Sequence, residues 1–221
     1  MDTSFFVANW KSHKTEIEAK KFLDEFSKNI FSPDKIIILC PPTTLLQFVK
    51  NYIDQKGVKN MEVGAQNISE FGEGAYTGEE NARQVSEFAK YVIIGHSERR
   101  KLFGENNEIF IKKANFALSN NLTPIFCVEN DLSLLQPLSN KNFIVAYEPS
   151  SAIGSGTPDD PEHAALMAKK IKEIGNFNVL YGGSVTPENV SSFTKQGDLD
   201  GVLIGGGSLS VSEFISIINN G

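Results

Sequence analysis

Cysteine is scarce: Cys40 and Cys127 are the only two in 221 residues, far apart and outside any CxxC pair. That pattern fits a reducing compartment, supplies no metal-ligand spacing, and leaves both as candidate core residues rather than nucleophiles. Long apolar runs are missing too. Nothing approaches the roughly 18 apolar residues that span a bilayer, so no membrane association is expected. The opening residues MDTSFFVANWKSHK place an acid early and only a few apolar residues in a row, unlike a secretory leader, and the expectation is a cytoplasmic protein. Positive charge is in deficit, with 21 Lys and Arg against 27 Asp and Glu and a net charge of −6. Nucleic acid is therefore a poor partner, because binding a phosphate backbone needs clustered Lys and Arg, whereas a small anion needs only a few local donors. No GxGxxG follows the first apolar run and neither GxxxxGKS nor GxxxxGKT occurs, which counts against dinucleotides and nucleoside triphosphates. No cofactor or metal is expected. No low-complexity linker or shift in charge density divides the chain, and residues 1–221 are read as one domain.

Present instead are eight short apolar runs: FFVAN, IIILC, MEVGAQ, YVIIGH, PIFCV, FIVAYE, NVLYG and GVLIGG. Each is continuous rather than alternating and is bounded by Gly, Pro or polar residues, as parallel strands buried on both faces are. Helical spacing fills most of the gaps. Ala19, Phe22, Leu23, Phe26 and Ile30 recur at steps of three and four opposite Lys and Glu. Similar spacing marks TTLLQFVKNYIDQ, NARQVSEFAKY, NEIFIKKANFALSN, PEHAALMAKKIKEIG, TPENVSSFTKQ and SVSEFISIINN, several with Ser, Thr or Pro at their starts as caps. The fifth connection, ENDLSLLQPLSNKN, is too short and proline-broken for a full helix. Eight strands alternating with about seven helices favour a (β/α)8 barrel over an open doubly wound α/β sheet, although periodicity alone does not close the sheet.

In either architecture ligands bind beyond the carboxyl ends of the strands. The first run leads into Asn9 and Lys11, the fourth into His96 and Glu98, and the sixth into Glu148, while the last two lead into the glycine loops YGGSV and IGGGSL. Taken singly, Lys11 fits a solvated surface lysine, His96 a structural histidine, Glu148 a salt bridge to SERR, and the glycines simple turns. Together they fit one rim. Glycines there let backbone N–H groups approach an anion, and a helix starting near SLSVSEF adds its positive end, so a small phosphorylated metabolite is the expected ligand.

VANWK at 7–11, GAQN at 64–67, GAYTGE at 74–79, GHSERR at 95–100, AYEP at 146–149, AIGSG at 152–156, YGGSV at 181–185 and GVLIGG at 201–206 follow one another along the whole chain. Any one of them says little; in this order they resemble the triosephosphate isomerases. The resemblance implies a single-domain (β/α)8 TIM barrel that interconverts dihydroxyacetone phosphate and D-glyceraldehyde 3-phosphate in glycolysis and gluconeogenesis. It implies Glu148 as the base between C1 and C2 and neutral His96 as electrophile and proton carrier, a pairing for which this family is itself the standard worked example. It further implies Lys11 as positive charge for phosphate and enediolate, Asn9 as an orienting group, and Glu98 as a charged partner behind them. Backbone N–H groups of Gly154, Ser184, Gly205 and Gly206 would hold the phosphate, and PSSAIGSG would be a lid that closes after Glu148 so that the base works dry. The segment ISEFGEGAYTGEEN would carry a homodimer contact through residues 68–80, with Thr77 near the partner's site.

Three departures from the family stand out. Its lid usually carries tryptophan where this chain has Ser151, its fifth strand is usually followed by Gly-Glu where this chain has Glu129 and Asn130, and asparagine usually stands at His13. The rival readings are another barrel enzyme acting on a sugar phosphate, which would use a different acid/base set, and a binding barrel without catalysis, which would lack Glu148, His96 or Lys11.

Overall fold

The computed structural model describes residues 3–149, 152 and 157–221. Eight parallel strands pair in chain order and β8 returns to β1, so the sheet closes into a barrel. They are β1 Ser4–Asn9, β2 Lys35–Cys40, β3 Met61–Ala65, β4 Tyr91–Ile94, β5 Thr123–Val128, β6 Ile144–Tyr147, β7 Asn178–Tyr181 and β8 Gly201–Ile204. Their continuous apolar character has a simple cause: one face fills the barrel and the other meets the helices. Phe5, Val7, Ile38, Ile93, Ile125 and Leu180 belong to the inner cluster, whereas Phe6, Leu39, Val92, Phe126, Val145 and Val179 pack outward under the helices.

The outer ring holds α1 Glu16–Phe26, α2 Leu46–Lys56, α3 Ala82–Val85, α4 Ser97–Phe103, α5 Asn107–Ser119, α6 Pro161–Ile174, α7 Val190–Thr194 and α8 Val211–Asn220. Local chemistry sets their starts. Thr15 and Glu18 form a capping box on α1, and Asp160 caps α6 with Pro161 in its first turn. Ile30 lies beyond α1 and is 98% exposed, contrary to its expected place on the buried face. Two other helices are shorter than their spacing predicts. After Val85 the backbone turns through Phe88 N–H to Val85 O, and before Val190 the Asn189 side chain accepts from Thr186 N–H and donates to Ser184 O, holding that stretch as a turn. The fifth connection contains only the 3₁₀ turn Leu132–Leu138 with Pro137 inside it, as its length and proline suggest.

The helix α4 has no counterpart in the apolar spacing. It is fixed by charge instead. Arg99 forks onto Glu105, whose Oε1 also takes the buried Lys113 Nζ at 2.6 Å, and Lys113 reaches Asn67 Oδ1 at 2.8 Å. Arg100 donates to Gly95 O at 2.8 Å and Cys127 O at 3.0 Å, joining the ends of β4 and β5. These contacts orient the turn that carries His96.

Candidate active site at the carboxyl ends of the strands

At the end of β1, Asn9 is buried and its Oδ1 accepts from Lys11 N–H at 3.1 Å. Lys11 has φ +50, a left-handed conformation unusual for a residue with a Cβ. Gln66 holds it there: its Nε2 donates to Lys11 O and to Cys40 O, each at 2.9 Å. The turn carries the lysine stem across Gly205, where an added Cβ would lie 3.2 Å from Lys11 Cε. Lys11 Nζ ends 2.6 Å from Glu98 Oε1. Burial raises the Glu98 pKa, but the hydrogen bond and charge of Lys11 outweigh it and hold the carboxyl below its ordinary range.

Helix α4 begins directly behind β4, with His96 as its cap. The imidazole Nδ1 accepts from Glu98 N–H at 3.2 Å. An accepting Nδ1 carries no proton, so the ring is neutral and its single N–H is on Nε2. That Nε2 lies 3.3 Å from Glu148 Oε1. The other carboxylate oxygen accepts from Ser97 N–H at 3.1 Å, so the first free amides of α4 serve both catalytic candidates.

Glu148 follows β6 and is 4% exposed. Burial pushes its carboxyl above the ordinary range; His96, Ser97 N–H, the Cys127 thiol and Lys11 pull the other way. Cys127 is a core residue as its scarcity and setting suggest, yet burial first and the neighbouring Glu148 charge second push its thiol well up, so it stays protonated beside that acid. Across the rim, Gly182 leaves room for this acid: a Cβ there would stand 2.8 Å from Glu148 Cγ. Tyr181 Oη accepts from Asp159 N–H at 2.8 Å, where the chain returns toward α6.

One cavity of about 250 Å³ collects these groups. Asn9, Lys11, His96, Glu148, Ser184, Gly205 and Gly206 all line it, whereas Glu98 stands behind, joined through Lys11. Gly154 and Ser151 lie outside the described residues, as does the lid segment apart from Pro149 and Ala152. Ala152 is buried and its carbonyl accepts from Ser184 Oγ at 2.7 Å. Glu213, in the first turn of α8, lines the cavity too, and the sequence reading does not single it out. Ser97 and Gln66 stand in the motifs GHSERR and GAQN without a role read from the sequence, and Cys127 reads there only as a core residue. His13 is exposed, and nothing in the structure explains it. Among the described residues no cluster of His, Cys, Asp and Glu is placed to hold a metal ion, and no helix is long and apolar enough to cross a membrane.

A buried carboxylate above its ordinary range, a neutral N–H donor beside it, a lysine and two glycine turns suit proton abstraction next to a carbonyl in an anionic substrate. The family profile described as triosephosphate isomerase matches residues 4–221. The triosephosphate isomerase of Shewanella loihica is 36% identical over 245 residues, covering 96% of this chain and 94% of the relative. That of Symbiobacterium thermophilum is 36% identical over 249 residues, covering 98% and 96%.

Proposed function

Because the chain belongs to the triosephosphate isomerase family and is an isomerase of triose phosphates, we propose that Glu148, His96, Lys11 and Asn9 divide its chemistry among them. Dihydroxyacetone phosphate presents a C2 carbonyl beside a hydroxylated C1. Glu148 takes a proton from C1; the C–H electron pair becomes the C1–C2 double bond and the carbonyl pair moves to O2, where His96 Nε2–H donates. The imidazole then carries a proton from O1 to O2's side of the enediolate, and the Glu148 carboxylic acid returns its proton to C2, leaving the aldehyde at C1. Lys11 offsets the negative charge of phosphate and enediolate, and Asn9 orients the oxygens. Glu98 keeps the lysine stem in place, and the N–H groups of Ser184, Gly205 and Gly206, with Gly154, hold the phosphate. The buried Glu148 carboxylate, 3.3 Å from the donating nitrogen of a neutral imidazole, carries this reading.

Turnover of dihydroxyacetone phosphate in heavy water, with the product analysed by NMR, tests it. A carboxylate that holds the proton in transit exchanges it with solvent, so deuterium should appear at C2 of the product. Its complete absence, together with full turnover by Glu148→Gln, would mean a hydride shift and remove Glu148 as base.

Tyr181 bears on closure over this intermediate. The segment it anchors returns at Asp159, and removal of the hydroxyl leaves that N–H without its acceptor. Tyr181→Phe should weaken a phosphoglycolate-type transition-state analogue by about 1 kcal/mol or more, the scale of one hydrogen bond. Equal affinities by calorimetry would show that closure does not depend on this contact.

The working form is a homodimer through residues 68–80, acting in the cytoplasm as a single catalytic domain. Ser69 N–H donates to Glu80 O at 2.8 Å, pinching the segment into a loop whose Phe71 and Tyr76 rings stack 4.4 Å apart, both exposed. Leu102 and Phe103 of α4 are exposed as well. So much open apolar side chain suits a covered surface. Sedimentation should give a dimer at micromolar concentration, with Thr77→Arg shifting it toward an inactive monomer; a fully active wild-type monomer would overturn the dimer.

A further inference from the structure

We propose that Lys14 is a positioning residue for the substrate phosphate, tying the glycine turn at residues 205–209 to the loop that carries Lys11. The proposal rests on the phosphate site described above. Lys14 has φ +74, a left-handed conformation that is costly for a residue with a Cβ. Such an outlier persists only where its surroundings over-determine it, and it clusters at functional loops. Two left-handed lysines stand within four residues of each other, and each is tied by a side-chain-to-carbonyl bond to another loop of the rim. Gln66 fixes Lys11 through the carbonyl of Lys11 itself; Lys14 acts in the opposite sense, sending its own ammonium out to a carbonyl of the next loop.

That bond is short, 2.7 Å from Lys14 Nζ to Leu209 O. The ammonium also lies 5.2 Å from the Trp10 ring centroid and 4.9 Å from that of Phe22, so it is seated on two buried aromatic faces rather than waving in solvent. Leu209 closes the 3₁₀ turn Gly206–Ser208. Its N–H donates to Gly206 O at 3.0 Å, Ser208 N–H donates to Gly205 O at 3.0 Å, and Ser208 Oγ reaches the same oxygen at 2.6 Å. With its carbonyls turned inward, the turn presents its other edge to the cavity that Gly205, Gly206 and Gly207 line.

The two loops therefore meet at two points. In front, the Lys11 stem crosses Gly205; behind, Lys14 holds Leu209. The first contact is van der Waals and can slide, whereas the second is a charge-assisted hydrogen bond with a fixed length. Together they set how far the Lys11 charge stands from the amides that grip the phosphate. Lys14 touches no reacting atom, so its loss should appear in phosphate affinity and not in proton transfer.

The test uses the full chain with Lys14→Met, Lys14→Gly and Lys14→Arg. It measures kcat and KM for dihydroxyacetone phosphate and competitive inhibition by inorganic phosphate. Methionine keeps the stem and the backbone cost but not the donor, glycine removes both donor and backbone cost, and arginine restores a donor. Lys14→Met and Lys14→Gly should both raise KM and the phosphate inhibition constant about three- to tenfold with kcat within about twofold, a ground-state binding loss. Lys14→Arg should recover most of the affinity. Equal losses in the methionine and glycine variants, whose backbone costs differ, would tie the effect to the donor rather than to fold stability. Unchanged phosphate inhibition in folded Lys14→Met, or a fall in kcat at constant KM, overturns the proposal. Gly205→Ala separates the underlying reading: it crowds Lys11 within the cavity, and normal phosphate inhibition there would overturn the phosphate site itself.

Discussion

Glu148→Asp should fold normally, bind substrate within a few-fold of the parent, and lose roughly two to three orders of magnitude in kcat, because a displacement of about 1 Å from the productive geometry can cost about a hundredfold. The charge is kept and only one methylene is lost. Retracting the carboxylate along its stem takes it out of reach of Ser97 N–H at 3.1 Å and of His96 Nε2 at 3.3 Å, and lengthens its path to the substrate carbon. Lys11 and the glycine turns are untouched, so KM should move little. Full turnover in this variant would remove Glu148 from the base role. The parent carries a linked signature in pH. As the proposed base, Glu148 acts only when ionised, and burial raises its pKa. As pH falls, kcat/KM should therefore decline through a value above that of an ordinary carboxylate, and an acid limb at the ordinary value would contradict burial as the controlling influence.

Gly201→Ala should be the most damaging methyl group that can be added to the barrel wall. Gly201 opens β8 opposite Phe5 with φ +147, and an added Cβ would stand 2.0 Å from Phe5 O and 2.7 Å from Phe5 N. Both obstacles are backbone in the adjoining strand, so no rotamer change relieves them. The conformation alone costs a residue with a Cβ about 1–3 kcal/mol, and forcing atoms into a filled space adds a similar amount, roughly 1–3 kcal/mol. Domains of this kind are stable by only about 5–15 kcal/mol. The thermal midpoint should fall by roughly 10 °C or more, with Gly197→Ala as the neutral control because nothing lies within 4 Å of its added Cβ. A midpoint shift no larger than that of the control would show that β8 can slide past Phe5 at little cost.

How much of this is legible in the sequence depends on what each feature leaves in the residue pattern. The eight strands are legible because burial on both faces demands unbroken apolar runs. The placement of Asn9, Lys11, His96 and Glu148 on one rim follows once those runs are taken as parallel. Helix α4 leaves no such mark: Leu102 and Phe103 are 74% and 64% exposed, Ser97 is its one buried residue, and ion pairs rather than an apolar stripe hold it. Ile30 misleads in the opposite direction, continuing the spacing of α1 past the residue where the helix stops. The contact of Cys127 with Glu148 depends on the β5–β6 register, in which Val128 pairs with Tyr147, and a register is not written in either strand alone. The left-handed turns at Lys11 and Lys14 are hidden because glycine or asparagine ordinarily announces that conformation and lysine does not. The motifs order the site by family likeness; what sets the angle of each side chain is the hydrogen bond it makes, and that appears only in three dimensions.

Closure of β8 onto β1 also has a consequence in time. Residues 5–8 pair with residues 201–204, so the first strand off the ribosome has its second neighbour made last. At about 5–20 residues per second the interval is roughly ten to forty seconds, during which one edge of FFVAN has no strand to bond and is open to foreign ones. Glu148 and His96 can already face each other on the nascent chain. Gly205 and Gly206 cannot meet Lys11 until the final strand docks. The site within each chain should therefore be completed in a single late step of biosynthesis, and a chain cut short before β8 should be inert and sticky rather than partly active.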